Sequence, residues 1–413
     1  MAKVPIMQLR YTFRLVPTPE QQVMLARTFG CVRVVFNDGL RARSDALRAG
    51  EPYIGDTQLQ SALIVGAKAT PQRAWLADVS SDALIQGVRD LHAAYRNFFN
   101  SVTGKRKGPR VGPPRFRSRR DTRQSFRMTR NGFRLRGNGA LYLAKIGEVR
   151  VRWSRALPAE PSSVTVIRDN AGRYFASFVV QVCVATLPEV DMEIGLDLGL
   201  TSYAVDSRGH VIENPRFLRN QERRLRKAQK ALARKADGSA NRAKARTRVA
   251  RAYARVADCR RDWLHKTSTR LIRENQAVYL EDLAVSSLGR TRLAKSVHDA
   301  AWGMFRRMLE YKASRHGRHI GIVSRWEPTS RRCSACGVVG GKLSLSVRSW
   351  VCGHCSAVHD RDGNAALNIL AAGRADRQNA CRDHVRPSSR TATVSETGTV
   401  PGRRKAARGK ASK

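Results

Sequence analysis

Residues 194–212 read IGLDLGLTSYAVDSRGHVI, an apolar alternation that turns at Ser207-Arg208-Gly209 and reads as a β-hairpin. Asp197 sits inside its first strand, where a carboxylate is costly unless it is used. Further along, Ala277-Val-Tyr-Leu-Glu281 is a short buried strand that ends on an acid. Asp360 and Asp362 then open Asp360-Arg-Asp-Gly-Asn-Ala-Ala-Leu-Asn-Ile369, a helix expected from about Gly363 to Ala372. Two strand-borne acids and one helix-borne acid can meet in one pocket. Asp197, Glu281 and Asp362 would there hold two Mg²⁺ ions about 3.5–4 Å apart, for hydrolysis of a phosphodiester. Each acid taken alone also has a plainer explanation. Asp362 fits a helix N-cap, Glu281 a loop residue, and Asp197 a turn-former beside Gly195 and Gly199. Asp282 and Asp360 read as supporting or solvated groups. The combination favours the pocket.

The charge balance points to what would enter such a pocket. The 413 residues carry 77 Lys plus Arg against 33 Asp plus Glu, a formal net charge of +44. An enzyme of small metabolites has no use for that self-repulsion, whereas nucleic acid would neutralise it. With 42% apolar residues the chain also has enough material for a true core. Between Lys105 and Arg136 there are 13 basic residues and one acid, interleaved with Phe116, Phe126 and Phe133. Those rings suit base stacking or core packing equally. Between Arg216 and Arg261 the count is 17 basic to 3 acidic, a net of +14. That ratio forfeits the i,i+4 pairing of an ordinary solvated helix face and is better explained by phosphates.

The cysteines give the sharpest local signal. Cys333-Ser-Ala-Cys336 and Cys352-Gly-His-Cys355 form two C-x-x-C knuckles separated by 15 residues. Such knuckles place four thiolates around one structural Zn²⁺, closed by four ligands and therefore not catalytic. Gly337 and Gly353 are expected at knuckle turns of positive φ. His354 and His359 are not needed as ligands. Cys31, Cys183, Cys259 and Cys381 are scattered singletons, and a reducing compartment is implied. The apolar run Phe175–Leu187 is interrupted and too short to span a bilayer, and MAKVPIMQLR has no signal-peptide core. No membrane partner is expected.

Organisation follows the pattern changes. Residues 8–15 alternate as a strand, and Thr18-Pro19-Glu20-Gln21 is a capping box that starts a helical unit reaching about Asn100. Leu84, Val88, Leu91, Tyr95 and Phe98 mark one apolar helix face. Phe29-Gly30-Cys31 admits a helix-turn-helix in 18–50. Strands are expected over Leu141–Ile146, Val149–Trp153, Ser163–Arg168 and Arg173–Val184, with the N-terminal strand as their partner in a small barrel. A long basic helical region, the strand at 277–281, helix around 297–316 and a strand near His319–Ser324 precede the cysteines.

Tyr11-Thr-Phe-Arg-Leu-Val-Pro-Thr-Pro-Glu-Gln21, Gly195-Leu-Asp-Leu-Gly199, Leu280-Glu-Asp-Leu283, Thr329-Ser-x-x-Cys-Ser-x-Cys-Gly337 and the 360–369 motif occur in this order. Over residues 8–373 the chain therefore resembles the TnpB (OrfB) family of insertion-sequence proteins, compact relatives of type V CRISPR effector nucleases. The resemblance implies an α/β fold: an RNase H-like (RuvC) nuclease core over 191–328 and 358–373, with a zinc ribbon inserted at 329–357. It also implies a wedge-type β-barrel over 1–17 and 104–190, interrupted by a helical recognition lobe at 18–103. Residues 374–413 lie outside it and read as a disordered basic tail. The resemblance implies a transposon-encoded, RNA-guided DNA endonuclease in the bacterial cytoplasm at the nucleoid. Asp197, Glu281 and Asp362 would be its magnesium ligands, Cys333, Cys336, Cys352 and Cys355 its zinc ligands. Its guide RNA would come from the transposon end and its target would be double-stranded DNA. Arg331-Arg332 departs from the family pattern, in which a Gln is expected. A strand-transferring transposase or a nuclease-inactive RNA-guided repressor would use related parts. The intact acids argue against the repressor.

Overall fold

A computed structural model describes residues 6–184, 186–344 and 346–383. The chain opens with strand β1 (Ile6–Val16) and passes into helix α1 (Pro19–Arg48). The capping box forms: the Gln21 amide donates to Thr18 Oγ1 at 3.3 Å and the Thr18 amide to Gln21 Oε1 at 3.0 Å. Then come α2 (Asp56–Gln60), a π turn at Ser61–Gly66, a 3₁₀ turn at Ala74–Asp78 and α3 (Ser81–Val102). α1 is one uninterrupted helix of 30 residues, so no turn falls at Gly30. Gly30 has no close neighbour but its own helix, whereas Gly87 on α3 lies against Val32 of α1 and lets the two helices close up.

Six further strands join β1. They are β2 (Gln124–Thr129), β3 (Phe133–Leu135), β4 (Leu141–Leu143), β5 (Gly147–Arg152), β6 (Ser163–Arg168) and β7 (Tyr174–Cys183). The sheet order is β2-β6-β7-β1-β5-β4-β3. β1 is thus central, pairing antiparallel with β7 from Ile6↔Cys183 to Leu15↔Tyr174 and with β5 at its other edge. The N-terminal strand does complete the later β segment. No ladder joins β2 to β3 among the described residues. β2 and β3 fall within the basic stretch 105–136, where the charges had masked them. Phe126 and Phe133 are buried in the core, while Phe116 is exposed. One continuous apolar core runs through this sheet, α1 and α3.

The second half holds β8 (Glu193–Leu198), β9 (Ser202–Asp206), β10 (Val211–Glu213), α4 (Phe217–Ala233), α5 (Ala240–Glu274), β11 (Ala277–Glu281), α6 (Val285–Leu288), α7 (Ala294–Ala300), α8 (Trp302–His316) and β12 (His319–Val323). The stretch 194–212 therefore forms three strands rather than one hairpin. The sheet order is β10-β9-β8-β11-β12, antiparallel through β8 and parallel from β8 to β12. Residues 277–280 are buried on both faces, as a parallel strand between two helical layers must be. Val278 and Leu280 join the core against α5 and α8. Ala277 and Tyr279 join the opposite core with Val323 and Ile369.

The last elements are β13 (Ser349–Val351), β14 (Val358–Asp360) and α9 (Arg361–Asp383). α9 runs past the expected end near Ala372, so residues 374–383 are helical and not a disordered tail. Arg374 Nε and Arg377 Nη1 each lie 2.6 Å from the Glu193 carboxylate at the start of β8, which anchors the extra turns. The rest of the expected tail, 384–413, lies outside the described residues. No helix among the described residues is long and apolar enough to cross a membrane.

Candidate active site and zinc ribbon

Register brings two of the acids together. β8 and β11 are parallel with Tyr279 opposite Gly195 and Leu280 opposite Leu196. The next residues on each strand are Asp197 and Glu281, so these carboxylates are neighbours. They share parity with Gly195 and Tyr279, and that face carries α9. An added Cβ on Gly195 would lie 2.2 Å from the Ala366 carbonyl oxygen and 2.6 Å from the Leu370 amide nitrogen. α9 therefore lies directly on β8, and its alignment can be read along the strand. Glu193 meets Arg374 and Arg377, Gly195 meets residues 366 and 370, and one helical turn earlier Asp362 comes level with Asp197.

The electrostatics agree with that placement. Burial pushes the Asp197 carboxyl up to about 7, with Asp362 and then Glu281 adding like-charge repulsion. Arg361 and Arg348 oppose the rise without cancelling it. Burial, with Asp282 second, also raises Glu281. This is a desolvated acid set short of positive charge, which suits divalent cations. Two ions about 3.5–4 Å apart, each about 2.1 Å from its oxygens, need ligands spread wider than those of a single ion. Among the described residues only the four thiols hold their ligand atoms within 4.8 Å of one another.

The neighbouring acids have separate work. Asp360 Oδ1 accepts the Gly363 amide at 2.8 Å and so caps α9. That leaves Asp362, on the first turn, to face the crevice instead of serving as the cap. Asp282 accepts from Arg306 at 3.1 Å and from Arg325 Nε at 3.0 Å, and both hold its pKa below the carboxylate range, Arg325 first.

The two knuckles form one thiol cluster. Cys333 Sγ lies 3.6 Å from Cys355 Sγ, and Cys336 Sγ 3.7 Å from Cys352 Sγ. Tetrahedral zinc with Zn–S near 2.3 Å requires S···S edges of about 3.8 Å, so the donor set fits Zn²⁺. Each knuckle repeats the same backbone turn. The Gly337 amide donates to the Cys333 carbonyl and the Ser356 amide to the Cys352 carbonyl, both at 2.9 Å. The positive-φ positions are Gly337 at 78° and Ser356 at 60°. Gly353 is not one of them, because the left-handed residue of a knuckle follows its second cysteine. His359 Nε2 lies 3.0 Å from Cys333 Sγ, placed to donate to a thiolate from outside the ligand set.

Sequence reasoning left Asn364 and Asn368 of α9 unassigned. Both are buried, and their side-chain amides donate to the Arg332 carbonyl at 2.8 and 2.7 Å. Asn364 Oδ1 also accepts the Ser334 amide. The spacing of four residues places both on one helix face, so α9 fastens the ribbon as well as presenting Asp362. Arg332 answers Glu327 at 2.9 Å, a local use for the departure at 331–332. Cys352→Ser is expected to cut zinc content from one ion per chain to near zero, read by elemental analysis. New protease cuts should then be confined to residues 329–360.

Comparisons with known proteins agree along the chain. A family model described as "Probable transposase" (OrfB of IS605) matches residues 177–292, and a "Cas12f1-like, TNB domain" matches 302–369. A "Helix-turn-helix domain" model matches 7–52, where this chain has β1 and one continuous helix. A protein of Streptomyces pristinaespiralis named "Putative RNA-guided DNA endonuclease" is 45% identical over 92% of this chain and 93% of its own length. InsQ of Escherichia coli K12, with the same description, is 31% identical over 88% of this chain and 92% of its own. The solved Cas12f1 from a complex with single guide RNA and target DNA is 12% identical, with a TM-score of 0.55 over 86% of this chain and 83% of that one. It shares the fold. Identity of 45% sustained almost end to end places this chain in the TnpB (OrfB) family.

Proposed function

We propose that this protein is a transposon-encoded RNA-guided DNA endonuclease that hydrolyses phosphodiester bonds at the Asp197–Glu281–Asp362 crevice. One observation carries the reading. Asp197 at the end of β8 feels the like charge of Asp362 on α9 and of Glu281 at the end of β11, three acids far apart in sequence, in a chain of net charge +44. The relatives' names and the family give the RNA-guided reading.

Asp197, Glu281 and Asp362 would hold two magnesium ions, and Cys333, Cys336, Cys352 and Cys355 one zinc ion. The magnesium pair would supply an acidified attacking water and neutralise charge on the scissile phosphate. The chain's own part is to hold the three carboxylates in position on a rigid sheet and helix. Water oxygen bonds to phosphorus, the P–O3′ bond breaks, and a 5′-phosphate and a 3′-hydroxyl remain. No covalent protein–DNA intermediate forms.

Sequence reading falls to RNA–DNA pairing, so the protein needs positive surface that follows a backbone. The α4–α5 hairpin and the segment 105–123 provide it. α4 buries only Leu225, leaving its Arg and Lys side chains to solvent. We assign the seven-stranded sheet to the wedge-type barrel, residues 18–103 to the recognition lobe and 329–357 to the ribbon. A nucleoid-associated cytoplasmic site follows from the substrate.

The test is purification with RNA encoded at the transposon end, followed by incubation with matching double-stranded DNA. Stoichiometric RNA and Mg²⁺-dependent cutting of matched DNA are expected. Cutting without RNA, or joining of transposon ends to target, would replace this reading with a strand-transferring transposase. Guide-dependent binding without cutting would replace it with a repressor.

A further inference from the structure

Trp326 is the most exposed large apolar side chain among the described residues, 86% open to solvent. Tryptophan is on average well buried, because its ring is so large an apolar surface. The chain's other tryptophans follow that rule: Trp302 is 4% exposed, and Trp75 and Trp153, the next most open, reach only 38% and 37%.

The ring is not left out by slack in the chain. Trp326 takes the third position of a turn that follows β12. The Glu327 amide donates to the Ser324 carbonyl at 3.0 Å, and the Trp326 amide to Ser324 Oγ at 3.3 Å. On one side Arg325 forks onto the Asp282 carboxylate, whose other oxygen takes Arg306. On the other side Glu327 accepts from Arg332 at 2.9 Å, and the Thr329 amide donates to the Glu327 carbonyl at 2.8 Å. Both neighbours are tied down, while the indole between them stands in solvent.

The turn lies at the end of the sheet that carries the acids. β11 and β12 are parallel with Val323 opposite Glu281, and the Asp282 amide donates to the Val323 carbonyl at 2.9 Å. Trp326 is three residues past Val323, so its Cα is within about 11 Å of the Val323 Cα. That reach is about three nucleotides at the rise of a stacked strand. The ring's neighbours in sequence, Ser324, Arg325 and Glu327, are polar, and one indole is far too little apolar area for a protein interface. A flat ring among arginines, in a chain of net charge +44, suits the face of a nucleobase.

We propose that Trp326 is a stacking platform for an unpaired base of the DNA strand that enters the acid crevice, within about three nucleotides of the scissile bond. Such a stack is blind to sequence, since every base has a π face, so the platform steadies whichever strand the guide selects. It sets the register of the strand, and the acids deal with the phosphate. This rests on the nuclease reading above.

Single abasic sites placed in turn along the cut strand read the contact. In the parent ribonucleoprotein with Mg²⁺, one abasic position close to the cut should slow single-turnover cleavage about tenfold to a hundredfold, the scale of one lost base–aromatic stack. Trp326→Ala should slow cleavage of the intact strand by a similar factor and make that abasic position indifferent, because the pair is then already broken. Trp326→Phe should restore most of the rate and Trp326→Leu little of it, which separates stacking from apolar contact alone. Zinc content should stay at the parental level. With Ca²⁺ in place of Mg²⁺, a fluorescent purine at the same position should be quenched in the parent and brighter in Trp326→Ala, a readout that needs no cutting.

Parental cleavage by Trp326→Ala would overturn the proposal. So would an abasic penalty that is the same with and without the indole, or Trp326→Leu matching Trp326→Phe. A ribonucleoprotein that falls from paired to single copies on substitution would assign the ring to a contact between chains instead. A parent that binds matched DNA without cutting would sink the nuclease reading by itself, and the fluorescent base would still decide the role of Trp326.

Discussion

Asp197→Asn is expected to lower Mg²⁺-dependent DNA cleavage about a thousandfold or more, roughly 4 kcal/mol of transition-state stabilisation, with RNA and target binding unchanged. Asparagine keeps the shape and hydrogen-bonding reach of the side chain but cannot hold a divalent ion as an anion does. The same variant should be more stable than the parent in magnesium-free buffer above pH 7. In the ion-free native state burial, then Asp362 and Glu281, push the Asp197 carboxyl up to about 7, whereas in the unfolded chain it titrates near 3.9. Between those values the native state binds more protons than the unfolded state, so stability falls as pH rises. The contribution is full below about pH 4 and is lost as pH passes through about 7. Asparagine is neutral throughout and escapes the loss, an advantage of about 2–4 kcal/mol at pH 8. Urea unfolding at pH 5 and pH 8, with zinc retained, reads it. Magnesium should stabilise the parent and leave the variant unmoved. A variant that cuts within tenfold of the parent would remove Asp197 from the proposed ligand set.

Gly195→Ala should be the most damaging single-methyl change in the molecule. Its Cβ would sit 2.2 Å from the Ala366 carbonyl oxygen and 2.6 Å from the Leu370 amide nitrogen. Both are backbone atoms of α9, so no rotamer change relieves the overlap. The helix must lift from the sheet. The Tyr279 ring packs against Gly321 of the adjacent strand and Gly373 of α9, where added Cβ atoms would come within 2.3 and 2.1 Å of it, so this layer has no slack. A cost above about 3 kcal/mol is expected, beyond ordinary overpacking. The displacement would also carry Asp362 away from Asp197, so any folded fraction should cut poorly. Urea midpoints and cleavage by the soluble fraction decide it. Parental stability together with parental cutting would show that α9 does not lie this close.

Much of this site was legible because its chemistry is punctuated in the sequence. Asp197 and Glu281 are acids in apolar strands, and the four cysteines carry their own spacing. What the sequence withheld was mostly what depends on contacts between distant segments. Gly195 looked like half of a turn around Asp197, and its reason is the backbone of a helix that begins more than 160 residues later. Asp360 and Asp362 could not be told apart by pattern; the hydrogen bond from Gly363 makes Asp360 the cap and leaves Asp362 as the candidate site acid. β2 and β3 were hidden because arginines on their outward faces diluted a period-two signal whose inward members, Phe126, Met128 and Phe133, are buried. The end of α9 was set too early because Arg374 and Arg377 read as tail charge until Glu193 supplied their partner.

That longer α9 has a practical consequence. At about 1.5 Å per residue, the 21 steps from Asp362 to Asp383 span about 32 Å of straight rod. One tip carries an acid of the crevice and the other points the polypeptide away from it. A reporter or effector module spliced on after Asp383 would start a full domain's width from the proposed cutting site. Cargo attached there should leave the blade unobstructed, whereas shortening the rod before Arg374 would undo its moorings to Glu193.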